Sequence, residues 1–248
     1  MTKKMKLVSM LLGAGLVGSA LVGAADKPAA DKAAADKPAA EKKSAAKKPG
    51  AAEETFYVYE NRGSRMNHYI PSGWMGDYGD LKMNQGWVKN SPNGQPKEQA
   101  KKAGGESANA APAAAEDTCI QIKYTAERKQ GNGWAGIYWQ HPANNWGDKR
   151  GGFDLSAYSK VTFEARGENG DEQIDKFFIG GITGQTEEGD SDEASISPVT
   201  LTKEWKTYEI SLKGLDMSHI IGGFGFAANA DSNPNGFTLY LDNIKLTK

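Results

Sequence analysis

After residue 54 the chain carries no amphipathic helix of ten or more residues, which restricts it to β architectures. Short apolar runs recur instead, separated by Gly, Asn and Asp. The spacing predicts strands at Phe56–Tyr59, Asn67–Ile70, Cys119–Lys123, Gly136–Gln140, Lys160–Ala165, Lys176–Gly180, Ser195–Leu201, Lys206–Leu212, Gly222–Ala227 and Thr238–Leu246. Val161, Phe163 and Ala165 point one way, while Thr162, Glu164 and Arg166 point the other. Tyr208, Ile210 and Leu212 alternate with Thr207, Glu209 and Ser211. Such alternation gives a sheet one buried face and one wet face. Short strands without helices predict an all-β sandwich or jelly roll.

The composition averages unlike segments, since only 38% of residues are hydrophobic yet there are 6 Trp and 30 Gly. Lys3, Lys4 and Lys6 precede an apolar stretch from Leu7 to Val22, and small residues follow at Gly23, Ala24 and Ala25. These three parts predict a secretory signal peptide over residues 1–24 and a secreted or periplasmic protein of a bacterial cell envelope. The uncleaved alternative, a membrane anchor, has an apolar core shorter than the roughly 20 residues a bilayer needs. No membrane span is expected after cleavage. Residues 25–54 repeat Asp-Lys-Pro/Ala-Ala-Ala and hold nothing aromatic or β-branched. Such a tract cannot offset its ordering entropy, and it reads as a disordered linker, either a spacer or a plain leader. A similar tract from Gln95 to Glu116 reads as a low-complexity insertion in the folded part, residues 55–248.

The formal net charge is -1, from 30 Lys+Arg against 31 Asp+Glu. Removing residues 1–24 takes three Lys and no acid, leaving 27 against 31, or -4. That balance offers no electrostatic footprint for nucleic acid. The one cysteine, Cys119, excludes an internal disulfide and a Cys-rich zinc site, and reads as a buried inert thiol.

Three stretches then take on meaning together. They are Leu201-Thr202-Lys203-Glu204-Trp205-Lys206-Thr207-Tyr208-Glu209-Ile210-Ser211-Leu212, the ending Phe237-Thr238-Leu239-Tyr240-Leu241-Asp242-Asn243-Ile244, and Phe153-Asp154-Leu155-Ser156 with the strand from Val161 to Gly167. Their pattern resembles carbohydrate-binding modules of the galactose-binding-like jelly-roll class. Pro71–Asp80 and Trp134–Gln140 resemble secreted members of the same class. The resemblance implies a jelly-roll β-sandwich and a polysaccharide or glycan as partner, bound by a monomer.

A sugar ring offers an apolar C–H face and a rim of hydroxyls, so a binding site pairs aromatic platforms with polar side chains. Trp134, Tyr138, Trp139 and Trp146 lie within thirteen positions, interleaved with Asn145 and other polar residues. Trp134 and Tyr138 share one strand face and Trp139 takes the other, so one of the two sets belongs to the core. Glu164 and Arg166 lie on a non-core face, able to meet hydroxyls or to form a solvated ion pair. Trp205 reads as structural, and Trp74 as a plug or a rim residue.

The segment Asp231–Asp242 has the spacing of a calcium loop, but its flanks read as strands and its Asn, Pro and Gly suit a plain turn. Separately, the resemblance implies a structural calcium clipping the terminal strands, with Glu60 and Asp242 as its ligands. For catalysis, Glu164 with Asp175 or Glu209 could form a carboxylate pair, but no pattern singles them out. His68, His141 and His219 lack metal spacing, and no nucleophile elbow or nucleotide loop is present. The expected function is noncatalytic glycan binding. A glycan-active enzyme on the same fold and an envelope protein that binds protein remain the alternatives.

Overall fold

The computed structural model describes residues 54–89, 117–183 and 188–248. The expected signal peptide, the linker up to residue 53 and the insertion at 95–116 lie outside the described residues.

The strands are β1 (Thr55–Tyr59), β2 (Ile70–Gly76), β3 (Leu81–Val88), β4 (Thr118–Tyr124), β5 (Trp134–Gln140), β6 (Lys160–Gly167), β7 (Gln173–Ile174), β8 (Lys176–Gly180), β9 (Glu193–Ile196), β10 (Val199–Thr200), β11 (Lys206–Ser211), β12 (Gly222–Asn229) and β13 (Phe237–Thr247). Among the described residues the only helical element is one 3₁₀ turn, Tyr78–Asp80. A six-stranded sheet runs β11-β6-β13-β4-β3, with β1 also on β13. A five-stranded sheet runs β2-β5-β12-β8-β9, and β10 and β7 form a small ribbon. Every pairing is antiparallel. The architecture is the all-β jelly-roll sandwich that the strand pattern predicts.

The long strand β13 organises the six-stranded sheet. Its core residues are Phe237, Leu239 and Leu241, and then Ile244 and Leu246. The period-two alternation therefore slips by one residue after Leu241. The backbone answers with a bulge between Asp242 and Lys245, where Asn243 takes φ +47°. Before the bulge β13 pairs with β4, and after it with β1. One strand thereby holds both the centre of the sheet and the N-terminal strand.

Side chains from the facing sheets meet in an aromatic core. Phe163 of β6 lies 4.8 Å from Phe177 of β8 and 5.0 Å from Phe224 of β12, ring centre to ring centre. Trp139 of β5 is fully buried beside Phe224. Large rings fill the gap, and their burial offsets part of the chain entropy.

Three strands differ from expectation. The second strand is Ile70–Gly76 rather than Asn67–Ile70; as an edge strand it tolerates Pro71, whose missing N–H makes the segment read as a turn. Strand β3, absent from the expected set, carries a register shift between Asn84 and Trp87 that erases its alternation. The expected strand Ser195–Leu201 is two short strands in different sheets, broken at Pro198, which cannot donate to a ladder. We expect Phe163→Ala to lower unfolding free energy by about 3–5 kcal/mol. Thr162→Ala, on the wet face of the same strand, should change it by less than about 0.5 kcal/mol. Urea titration of both variants checks the assignment of faces.

Candidate functional site

The outer face of the five-stranded sheet is built on an alternation that crosses strands. Register places Gly73 of β2 beside Tyr138 of β5, Tyr138 beside Gly225 of β12, and Gly225 beside Phe178 of β8. The row reads Gly, Tyr, Gly, Phe. A Cβ on Gly225 would sit 2.3 Å from the Phe178 ring, and one on Gly73 would sit 2.7 Å from Tyr138 Cβ. Only glycine lets the two rings pack over their neighbours. They pack edge to face at 4.7 Å, and with Ile182 and Ile221 they form an apolar layer separate from the main core. Met75 and Ala227 pack against it. Tyr138 Oη donates to Gly180 O at 3.0 Å, and burial raises its hydroxyl well above the usual tyrosine range.

Two tryptophans stand open on this layer. Trp134 at the start of β5 is 38% exposed, and Trp146 in the β5–β6 connection is 42% exposed. Trp146 meets Tyr138 edge to face at 5.9 Å. Tyr138, Trp146, Gly181, Ile182 and Thr183 line a cleft of about 280 Å³. The Lys176 ammonium lies 4.6 Å from the Phe178 ring centre, and Asn229 is in register with Trp134. The supports beneath are polar and buried. Asp77 accepts N–H bonds from Gln130, Asn132 and Gly133, and its own N–H reaches Trp134 O at 2.7 Å. Burial raises the Asp77 carboxyl, but these N–H bonds outweigh it and hold the group below the usual carboxylate range. The turn into Trp134 is thus fixed by a buried charge satisfied by backbone. Gln140 accepts from Ser72 and donates to Asn145 O, which ties the Trp146 loop to β2.

The sequence of residues 78–248 matches the profile of the family described as carbohydrate binding domain 30. The chain belongs to that family. It is a carbohydrate-binding module. Among solved structures it is similar to a family 30 carbohydrate-binding module at 16% identity, covering 78% of this chain and 87% of that one, with a TM-score of 0.47. A family 11 module from Clostridium thermocellum, in complex with a β-1,3-1,4-mixed-linked tetrasaccharide, is 22% identical over 53% of this chain and 76% of that one, with a TM-score of 0.36. A family 29 module is 10% identical over 78% and 87%, with a TM-score of 0.41. No curated protein matches the chain.

Within this module the structure brings together only part of the residue set expected from sequence. Trp134, Tyr138 and Trp146 share the outer layer just described. Trp139 does not: it is fully buried between the sheets and must be removed from the ligand-binding set, because β5 alternates and Trp139 falls on the core side with Ala135 and Ile137. Asn145 is also corrected. It is fully buried, its amide donates to His141 O and Lys149 O, and its carbonyl accepts from Gly147 and Lys149 N–H. Those bonds shape the Trp146 loop and leave no free edge for a sugar. Trp74 on edge strand β2 is 36% exposed, and its register with Ile137 turns it away from the Tyr138 side. Phe178, Lys176 and the glycines of the row were missed by sequence reasoning; only strand register brings them to Tyr138.

Glu164 and Arg166 belong to the other outer face, on the six-stranded sheet. The Arg166 guanidinium lies 3.8 Å from the Tyr240 ring centre and 5.5 Å from that of Trp205. Glu164 pairs with Lys89, whose Nζ also lies 2.6 Å from Asp242 Oδ2. Trp205 packs near Tyr240 and Lys89, in keeping with a structural role. Glu209 pairs with Lys160, and Asp175 accepts from Asn229, so neither forms a carboxylate pair with Glu164. Cys119 is buried, and burial pushes its thiol up to about 12, which makes it inert.

The residues expected to hold calcium do not fit the ion. Asp242 is buried with the Lys89 ammonium already against it, and its other oxygen accepts Asn243 N–H. Glu60 accepts from Ser64 Oγ. Among the described residues no group of three His, Cys, Asp or Glu side chains could hold a metal. The loop at Asp231–Gly236 is explained by turn chemistry, with Asp231 paired to Arg128 and the Asn233 amide bonded to Gln173 O and Asn229 O. Burial raises the Asp242 carboxyl above the usual carboxylate range, and Lys89 pulls it back. We therefore expect Lys89→Met to destabilise the module by about 3–5 kcal/mol at pH 8, since it leaves a buried charge unpaired. A carboxyl whose folded value is raised costs stability as pH rises, so the deficit should be smaller at pH 5 than at pH 8. Adding Asp242→Asn should recover part of it. Urea unfolding at both pH values checks these signs.

Proposed function

We propose that the module is an exported, noncatalytic binder of neutral polysaccharide, and that the outer face of the five-stranded sheet is where the polysaccharide lies. The observation that carries this reading is the pair of open tryptophans, Trp134 and Trp146, on the sheet face that holds the apolar layer of Tyr138 and Phe178. Large exposed rings over a closed apolar layer are costly unless a ligand covers them. Sugar C–H groups carry partial positive charge and meet the negative face of an indole. Lys176, beside the Phe178 ring, supplies a donor for hydroxyl oxygens. A net charge of -4 after removal of residues 1–24 favours a neutral chain over a polyanion.

The reading assigns no step of bond breaking to the module. Incubation with soluble polysaccharides should release no reducing ends. The leader is removed after residue 24, so the mass of the exported protein should begin at Ala25.

Affinity electrophoresis against mixed-linkage glucan, hydroxyethyl cellulose, xylan and mannan tests the face. Trp134→Ala and Trp146→Ala should each weaken retardation by at least about tenfold in Kd, or about 1.4 kcal/mol. Arg166→Ala, on the other sheet, should leave it unchanged. Loss of binding with Arg166→Ala and retention in both tryptophan variants would move the site to the six-stranded sheet.

A further inference from the structure

Two loops wall the cleft at Trp146. One is 141–152, which carries Trp146 itself; the other follows β8 and carries Gly181, Ile182 and Thr183, with residues 188–192 described beyond them. A single side chain from a third segment reaches both. His219, in the β11–β12 connection, places Nδ1 2.8 Å from Gly189 O and Nε2 3.0 Å from Gly151 O. Both partners are backbone carbonyls, which only accept. A neutral imidazole has one N–H and one lone pair, so it can satisfy one carbonyl and must turn a lone pair on the other. Only the imidazolium donates to both.

We propose that doubly protonated His219 is a positioning residue that ties Gly151, on the connection of Trp146, to Gly189, on the connection of Ile182, so that glycan binding by this face is stronger when both ring nitrogens carry protons than when one does. The inference rests on the platform reading above. The surroundings suit a cation. Asp190, next to Gly189, accepts N–H bonds from Ile182 at 2.8 Å, Ile221 at 2.5 Å and Gly222 at 3.1 Å. Its carboxyl is raised by burial and lowered by these bonds and by His219. Ser191 exchanges bonds with His219, its N–H donating to His219 O and its Oγ accepting His219 N–H. The other charged groups nearby are Glu188 and Asp192 on the connection after β8, Asp216 on the connection of His219, and Asp148, Lys149 and Arg150 on the Trp146 loop. Asp192 accepts Asp216 N–H, and Lys149 donates to Asn144 O within its own loop. Asp154, beyond Gly151, is lowered by its bonds to Ser156. His141 is lowered, by burial first and by His68 next, so it does not supply a competing charge in the same direction.

A neutral His219 lacks the second donor and leaves one of the two carbonyls without its bond, which loosens the tie while the Asp190 and Ser191 bonds remain.

The test has three readouts on the folded protein. The ¹⁵N shifts of the imidazole report whether both ring nitrogens of His219 carry protons at pH 6, with no variant needed. Hydrogen exchange, corrected for intrinsic rates, reports protection of residues 141–152, 181–183 and 188–192 without ligand. Affinity for hydroxyethyl cellulose, or for whichever panel polysaccharide is retained, is followed from pH 5 to 8.5. Doubly protonated nitrogens, loop protection that falls as the second proton is lost, and a loss of affinity of about fivefold by pH 8.5 are expected, the size of one lost hydrogen bond. His219→Gln should bind weakly and without that pH dependence, while His68→Gln keeps it. A single protonated nitrogen at pH 6, or loop protection that does not change with pH, overturns the staple. If no polysaccharide binds at any pH, the platform reading fails, and the nitrogen shifts and exchange still decide the staple.

Discussion

The close approach of rings and glycines on the outer face of the five-stranded sheet is the constraint on which the rest depends. Tyr138 and Phe178 cannot pack against each other over the sheet unless Gly73 and Gly225 stand beside them. So packed, they close the sheet with an apolar layer that is continuous with Ile182 and Ile221. Trp146 stands perpendicular to Tyr138 beside that layer and stays 42% exposed. The opposite side of the same strands carries Trp139, Phe177 and Phe224 into the core, so stability and binding draw on alternate residues of one set of strands.

Much of the fold was legible in the sequence because period-two alternation is strict where one face is buried. Strands β6 and β11 show it without a break. Strand β13 shows something finer: the shift of its apolar residues from odd to even numbers at Asp242 is the bulge itself, written in the sequence. Where a register shift falls inside an edge strand, as in β3, the alternation is lost and the strand cannot be read. Proline misleads in opposite ways. It is tolerated in β2 at the edge, and it ends β9.

The site was legible only in part, for a related reason. A sequence can say that Trp134 and Tyr138 share a face and Trp139 does not, but not which face is core. Only the second sheet, seated on Ala135, Ile137 and Trp139, decides that. Asn145 resembled a sugar contact because loops that bind sugar and loops that merely turn use the same amide groups; its four backbone bonds place it in the second class. Glu164, Arg166 and Asp242 resembled site residues for their charge, and they gather on the other sheet around Lys89, Tyr240 and Trp205. Phe178 and Lys176 gave no signal, since contact across strands depends on register.

The central claim is that polysaccharide lies on the glycine-and-ring face of the five-stranded sheet. Mapping chemical-shift changes on titration with a short oligosaccharide of the polysaccharide retained tests it most directly. The account predicts that the largest changes fall on the indole N–H groups of Trp134 and Trp146 and on backbone amides of Tyr138, Phe178, Ile182 and Asn229. Changes centred on Trp205, Arg166 and Tyr240, with the Trp134 and Trp146 signals unmoved, would contradict it.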